Sequence, residues 1–332
     1  MCAIKSSIPD NISEEYYQIS PEILASFPKY RPPLDLFKFV EDVAQLLSYS
    51  RKGQRLSNEQ IEEVNQLCQD SNLFVSRSDH PVYSKHICKQ LDLILLDKNL
   101  KESEIADIIV QALQLRLEAF FDQAVPPVFE FLYKDLMVVT EYLSSDSRRI
   151  KSLMRRIQTT HSLINHSINC GFVGLWMYLK CRNYEFVRRD LDRIAVALFL
   201  HDMGMCKIPQ FILSKTIPLT LEERSKVNMH PILGLKIAEK LGLSFNEIKA
   251  CILEHHERLD QSGYPRKVGG DEITKIGRLC AVVDSFCAMI TDRPYAKAMT
   301  LKDAAKAISK DDAHYDTQFT LQLLSGFVAN DW

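Results

Sequence analysis

The sequence predicts a mostly α-helical protein, in which an all-helical C-terminal bundle follows a smaller α/β or α+β domain. Three observations carry this. Composition is that of an ordinary globular chain, with 46% hydrophobic and 25% charged residues, 11 Gly and 13 Pro in 332 residues. From about Arg148 onward, apolar residues recur at helical spacing between short loops. Short strand-like runs, Leu36 to Val40 and Leu73 to Val75, lie before residue 80. The length allows two domains with real cores, divided between about 125 and 150.

Taken in order, residues 1–20 are polar and read as a flexible N-terminus, and 21–145 as a mixed domain suited to regulation or partner binding. The basic turn Arg51-Lys52-Gly53-Gln54 precedes a helix opened by the capping box Ser57-Asn58-Glu59-Gln60, with Ile61, Val64 and Leu67 on one face. Helices follow over Tyr83 to Leu96, Glu102 to Phe121 and Val128 to Leu143, the last after the Pro126-Pro127 break. Residues 146–332 read as the helical domain. Leu191 to His201 is almost without a polar face, so it is a buried helix. Thr220-Leu221-Glu222-Glu223 caps a helix that ends near His230-Pro231; Ser244 to Arg258 is another, and Gly263-Tyr264-Pro265 a turn.

Net charge is −2, which excludes a protein that coats nucleic acid; an anionic ligand must be held locally. Nine cysteines without a CxxC pair, and no signal peptide, read as reduced core thiols of a cytoplasmic protein. No apolar run approaches the ~18 residues of a membrane span.

The histidines carry the chemistry. Seven of nine follow residue 160, and four lie in His201-Asp202, His230-Pro231 and His255-His256-Glu257. His166 precedes them in a helical stretch, and Asp284 follows in the apolar helix Ile276 to Ile290. Imidazole and carboxylate are the ligand set of Zn, Fe or Mn. Neighbours on a helix point about 100° apart, so His255 and His256 converge only if the helix ends there. A carboxylate has two oxygens, which makes Asp202 the candidate bridge between two cations and the candidate catalytic residue. Two cations roughly 3.5–4 Å apart can share a hydroxide and polarise a phosphoryl oxygen.

The ordered set His166-Ser167, Leu200-His201-Asp202-Met203-Gly204, Ile212-Leu213-Ser214-Lys215, His230-Pro231-Ile232-Leu233-Gly234, His255-His256-Glu257-Arg258-Leu259-Asp260, Ser262-Gly263-Tyr264-Pro265, Ala281-Val282-Val283-Asp284-Ser285-Phe286 and Asp292-Arg293-Pro294-Tyr295 resembles the HD-GYP family of bacterial signalling phosphodiesterases, over roughly Thr160 to Val328. The resemblance implies an HD-type helical domain that hydrolyses cyclic di-GMP to pGpG or GMP by a metal-bridging hydroxide. It implies ligands His166, His201, Asp202, His230, His255, His256 and Asp284. His166, His201 and Asp284 would take one Fe or Mn ion, His230, His255 and His256 the other, with Asp202 between them. It also implies Arg293 as a phosphate holder, with Gly263, Tyr264 and Pro265 shaping a substrate loop that is a contact surface for diguanylate cyclase domains. A homodimer is allowed.

Four positions depart from the family pattern. Met205 stands for a lysine, with Lys207 two residues on; if that lysine is a general acid, its loss costs ~10²-fold in turnover. Ser162 stands where three-metal members carry Glu, so two ions are expected and a third is not. Gln261 replaces the first glycine of the loop, and Ala296 a basic residue that Lys297 replaces only in part. These departures keep a second expectation open, a metal-containing but catalytically weak module that binds cyclic di-GMP or a protein partner.

Overall fold

The computed structural model describes residues 15–40, 43–292, 297–330 and 332. The chain forms two compact units, divided between Ala112 and Leu113.

The first unit is built on a four-stranded antiparallel sheet in the order β1-β4-β2-β3. Its strands are β1 (Tyr16–Gln18), β2 (Leu36–Val40), β3 (Gln45–Ser50) and β4 (Leu73–Ser76). Tyr17 faces Val75, Phe37 faces Phe74 and Phe39 faces Leu46. The helices are α1 (Pro21–Ser26), α2 (Asn58–Gln69) and α3 (His80–Ile87). Ser57 and Gln60 form the capping box that opens α2, and its buried residues Ile61, Val64 and Cys68 share one face. Tyr16–Gln18, inside the stretch expected to be flexible, are held as an edge strand on β4.

Helix α4 (Glu102–Asp122) carries the chain into the second unit. The division falls within this helix, earlier than the break expected between 125 and 150, because α5 (Pro126–Ser145) packs on a helix of the second unit. That unit continues with α6 (Ile150–Met154), α7 (Leu163–Cys181), α8 (Arg188–Leu200), a 3-10 turn (Met203–Lys207), α9 (Gln210–Leu213), α10 (Leu221–Val227), α11 (His230–Lys240), α12 (Asn246–Glu254), α13 (Lys275–Met289), α14 (Leu301–Ile308) and α15 (Thr317–Ala329).

Its centre is α7, where every residue from His166 to Leu179 is buried. A helix buried on all sides belongs to the core of a bundle. Helices α8 and α13 pack on it, α12 packs on both α8 and α13, and α11 lies across the 3-10 turn. Toward its C-terminal end, Trp176 meets the Phe327 ring at 5.6 Å, tilted 51°, and Phe327 stacks on Phe286 at 5.0 Å. Two expectations need correction: the single helix expected over Tyr83 to Leu96 is α3, ending at Ile87, followed by a separate 3-10 stretch, Leu91–Leu95. The helix capped by Thr220 and Glu223 ends at Val227, and His230-Pro231 begins α11, with proline in the first turn where its missing N–H costs nothing. No helix among the described residues is long and apolar enough to cross a membrane.

Candidate metal centre

Each histidine and aspartate singled out in the sequence sits at a helix end or on a buried helix face, and the bundle brings them together. His166 lies on the first turns of α7, and Asp284 is at the middle of α13. His201 and Asp202 follow α8 directly. His230 opens α11, while His255 and His256 follow the end of α12 at Glu254. The helix does stop at His255, so both imidazoles turn inward, with ring centroids 4.2 Å apart.

Two close approaches make this geometry. A Cβ on Gly204 would lie 1.9 Å from the carbonyl oxygen of His230, so only glycine lets the turn after His201-Asp202 press against the start of α11. A Cβ on Gly263 would meet His256 O at 2.4 Å and Glu257 Cα at 2.5 Å. The loop there folds back on the histidine pair, and the Tyr264 N–H donates to His256 O at 3.2 Å. The Tyr264 ring then stacks on the His256 imidazole, with centroids 4.7 Å apart at 29°.

The ligand atoms form two adjoining groups. His166, Cys170, His201 and Asp284 offer four atoms within 4.8 Å of one another, and Asp202, His230, His255 and His256 offer four more. Asp202 spans both. Its Oδ2 lies 3.6 and 3.7 Å from the Nε2 atoms of His166 and His201, and its Oδ1 lies 3.1 and 3.5 Å from those of His230 and His255. Asp284 reaches His166 Nε2 at 3.1 Å with one oxygen and His256 Nδ1 at 3.4 Å with the other.

The tautomers follow from the backbone. Nδ1 of His201, His230 and His255 lies 2.8 Å from the carbonyl oxygens of Leu198, Val227 and Cys251 respectively. A carbonyl oxygen only accepts, so each Nδ1 carries the hydrogen and each neutral ring turns an Nε2 lone pair inward. The Nε2 atoms of His230 and His255 then face each other at 3.0 Å. Nε2 of His201 and Oδ1 of Asp202 are buried without any hydrogen-bond partner among the described residues. Buried lone pairs that converge in this way repel unless a cation or proton lies among them. The donor set therefore fits metal ions, and backbone acceptors behind ligating imidazoles are the usual second support of such sites.

The electrostatics agree. Burial pushes the His201 imidazole down to about 4 against the pull of Asp202, and holds His256 well below its ordinary value, with His255 adding to the effect. Burial works against charge on Asp202 too, yet the surrounding imidazoles, His201 foremost, hold its carboxyl well below the usual range. Asp284 is lowered likewise, by His256 and His166. His230 is raised, because Asp202 outweighs its burial.

The remaining expected site residues are placed unevenly. Gly263, Tyr264 and Pro265 form the loop over His256. Lys297 is exposed and pairs with no acid among the described residues, and Arg293 and Ala296 lie outside the described residues. Met205 is half-buried and Lys207 exposed. Ser162 is the N-cap of α7, its hydroxyl accepting from Asn165 N–H at 3.0 Å, so its oxygen is already engaged. Gln261 takes a left-handed backbone, φ +69°, at the position where the family loop has glycine.

Two kinds of residue escaped sequence reasoning. Cys170, treated as a core thiol, lies one helical turn after His166 and joins the first group; that four-residue spacing was the available signal. Glu254, buried just ahead of the His-His pair, accepts from the Arg266 guanidinium at 2.7 Å and from the Thr274 N–H and hydroxyl at 2.9 and 2.6 Å. Glu257 accepts from the Arg266 N–H at 2.7 Å. Together these two carboxylates tie down the loop that carries Tyr264.

Known proteins share these features. The sequence model for the HD domain matches residues 138–319. The cyclic di-GMP phosphodiesterase response regulator RpfG of Xanthomonas campestris pv. campestris is 41% identical over 115 residues, which is 34% of this chain and 30% of that protein. The 3'3'-cGAMP-specific phosphodiesterase 3 of Vibrio cholerae is 38% identical over 127 residues, 38% of this chain and 27% of that protein. The chain thus spans less than a third of the length of either relative. Among solved structures, Bd1817, an HDG"Y"P protein from Bdellovibrio bacteriovorus, aligns over 95% of this chain and 100% of its own, with a TM-score of 0.61 and 14% identity, so the two share a fold. Matched over more than half its length, the chain belongs to the HD domain family.

Proposed function

We propose that this protein is a metal-dependent phosphodiesterase that hydrolyses a 3',5'-linked cyclic dinucleotide, cyclic di-GMP first among them, to pGpG or GMP in bacterial second-messenger signalling. The observation that carries the reading is the pair of adjoining donor groups joined by Asp202, with the buried Nε2 lone pairs of His201, His230 and His255 turned toward its two oxygens. His166, His201 and Asp284 would hold one ion, and His230, His255 and His256 the other, with Asp202 shared. Two divalent ions, iron or manganese, would supply Lewis acidity at the phosphoryl group and lower the pKa of water at neutral pH. The chain's own part is to fix the ligand tautomers through backbone carbonyls, to keep the carboxylates ionised, and to exclude bulk water with α7, α8 and α13. Tyr264, Gly263 and Pro265 would wall the substrate side, with Arg293 and Lys297 supplying positive charge for phosphate. RpfG and the Vibrio relative are named for cyclic di-GMP and 3'3'-cGAMP respectively, which favours this substrate class.

The half-buried Met205, with Lys207 exposed, favours a second reading: the same centre in a catalytically weak module that binds the nucleotide or a partner such as a diguanylate cyclase domain. The N-terminal unit would serve regulation, partner binding or dimerisation, in the cytoplasm. A panel of cyclic di-GMP, 3'3'-cGAMP and cyclic di-AMP, resolved by chromatography with Asp202→Ala as control, tests the proposal. Product from wild type and none from the variant supports the phosphodiesterase. Tight binding without product selects the weak module, and hydrolysis that persists in Asp202→Ala contradicts both.

A further inference from the structure

Cys170 lies four residues after His166 on α7, so the two side chains share a helix face. The thiol is fully buried, and its Sγ stands 3.5 Å from His166 Nε2 and 3.9 Å from Nδ1. The same Nε2 is 3.1 Å from Asp284 Oδ1. The fourth atom of the group, His201 Nε2, is wholly buried and has no hydrogen-bond partner among the described residues. A tetrahedral ion with sulfur at ~2.3 Å and nitrogen at ~2.1 Å would separate those two donors by about 3.6 Å. The observed Sγ to Nε2 distance matches that spacing.

We propose that Cys170 is a sulfur ligand of the ion held by His166, His201 and Asp284, which makes this half of the centre a mixed nitrogen, oxygen and sulfur site. The inference rests on the reading that the two donor groups hold metal ions. Binding converts the Cys170 thiol to a thiolate: the S–H bond breaks, the sulfur–metal bond forms, and the proton leaves to solvent. A soft ligand biases the site toward Fe(II), Co(II) or Zn(II) over Mn(II), whereas the His230, His255 and His256 half keeps a harder nitrogen and oxygen set. The competing account is a core thiol that only contacts Cys287, its neighbour on α13.

Metal-free wild type, Cys170→Ala, Cys170→Ser and Cys287→Ala are titrated with Co(II) under reducing, anaerobic conditions, and bound metal and absorption spectra are recorded, with circular dichroism to confirm folding. Wild type and Cys287→Ala are expected to show the near-ultraviolet sulfur-to-cobalt charge-transfer band as the first-bound ion enters. Cys170→Ala and Cys170→Ser keep the visible bands of nitrogen- and oxygen-bound cobalt and lose that band. Their preference for Co(II) over Mn(II) falls by about tenfold or more in competition. Two cobalt ions in wild type without the band, or a band that survives in both Cys170 variants, overturns the sulfur ligand and leaves the metal centre standing. A folded wild type that takes up no cobalt overturns the centre and the ligand together. If alanine disturbs folding, the serine variant, which keeps the volume, carries the comparison.

Discussion

Replacing Gly204 with alanine should strip one ion from the centre and leave the other. The added Cβ would lie 1.9 Å from His230 O and 2.6 Å from Gly234 N, both backbone atoms of α11 that cannot rotate away. To bring the first contact out to 3.0 Å, the turn and the helix must part by about 1.1 Å. Ligand constellations tolerate about 0.5 Å. His230 therefore leaves the position at which its Nε2 meets His255 and Asp202, while His166 and Asp284, on α7 and α13, and His201, just after α8, stay in place. The strain of overpacking costs on the order of 1–3 kcal/mol, a fall of several degrees in melting temperature for a unit of this size. Metal analysis by plasma mass spectrometry and thermal unfolding read both effects: about one ion per chain instead of two, and a lower midpoint. A variant that keeps two ions and the wild-type midpoint would refute the close-approach argument.

Other expectations follow from the same geometry. Asp202→Ala removes the carboxylate whose two oxygens face imidazoles of both groups, and should lower metal content of both and abolish hydrolysis; wild-type metal content in that variant would remove Asp202 from the bridge. Gln261→Gly should stabilise the protein by about 1 kcal/mol, since φ +69° is strained for a residue with a Cβ, and chemical denaturation would show an unchanged or lower midpoint if that strain is not real. Protons compete with metal for imidazole. His230, whose pKa is raised, takes up a proton at higher pH than His201 or His256, whose values are lowered, so as pH falls the ion of the His230 group should leave first. Dialysis across a pH series would show two separate steps; simultaneous loss of both ions would contradict it.

What the sequence made legible was periodic or chemical. Helices α8, α12 and α13 stand where their apolar runs put them, because those runs are too long for buried strands and are bounded by cap and turn signals. The seven candidate ligands, which do cluster, are legible by residue type, and His201, Asp202, His230, His255 and His256 also by a neighbouring turn or second ligand. Less legible were features that depend on distant pairing. Strand β1 exists only because β4, some sixty residues later, hydrogen-bonds to it, and nothing local in Tyr16–Gln18 announces that. The end of α10 at Val227 was blurred by Pro231, which reads equally as a stop or as a first-turn residue. Cys170 was passed over because an apolar helix makes a cysteine look like core, although its four-residue offset from His166 put it on the ligand face. Glu254 and Arg266 matter through contacts across a loop that no spacing rule reaches.

The most direct test is the metal content of anaerobically purified protein, measured on the same sample as cyclic di-GMP turnover. Two ions per chain with a linear dinucleotide product is the result the account predicts. Folded protein with no bound metal, whatever its turnover, would contradict it.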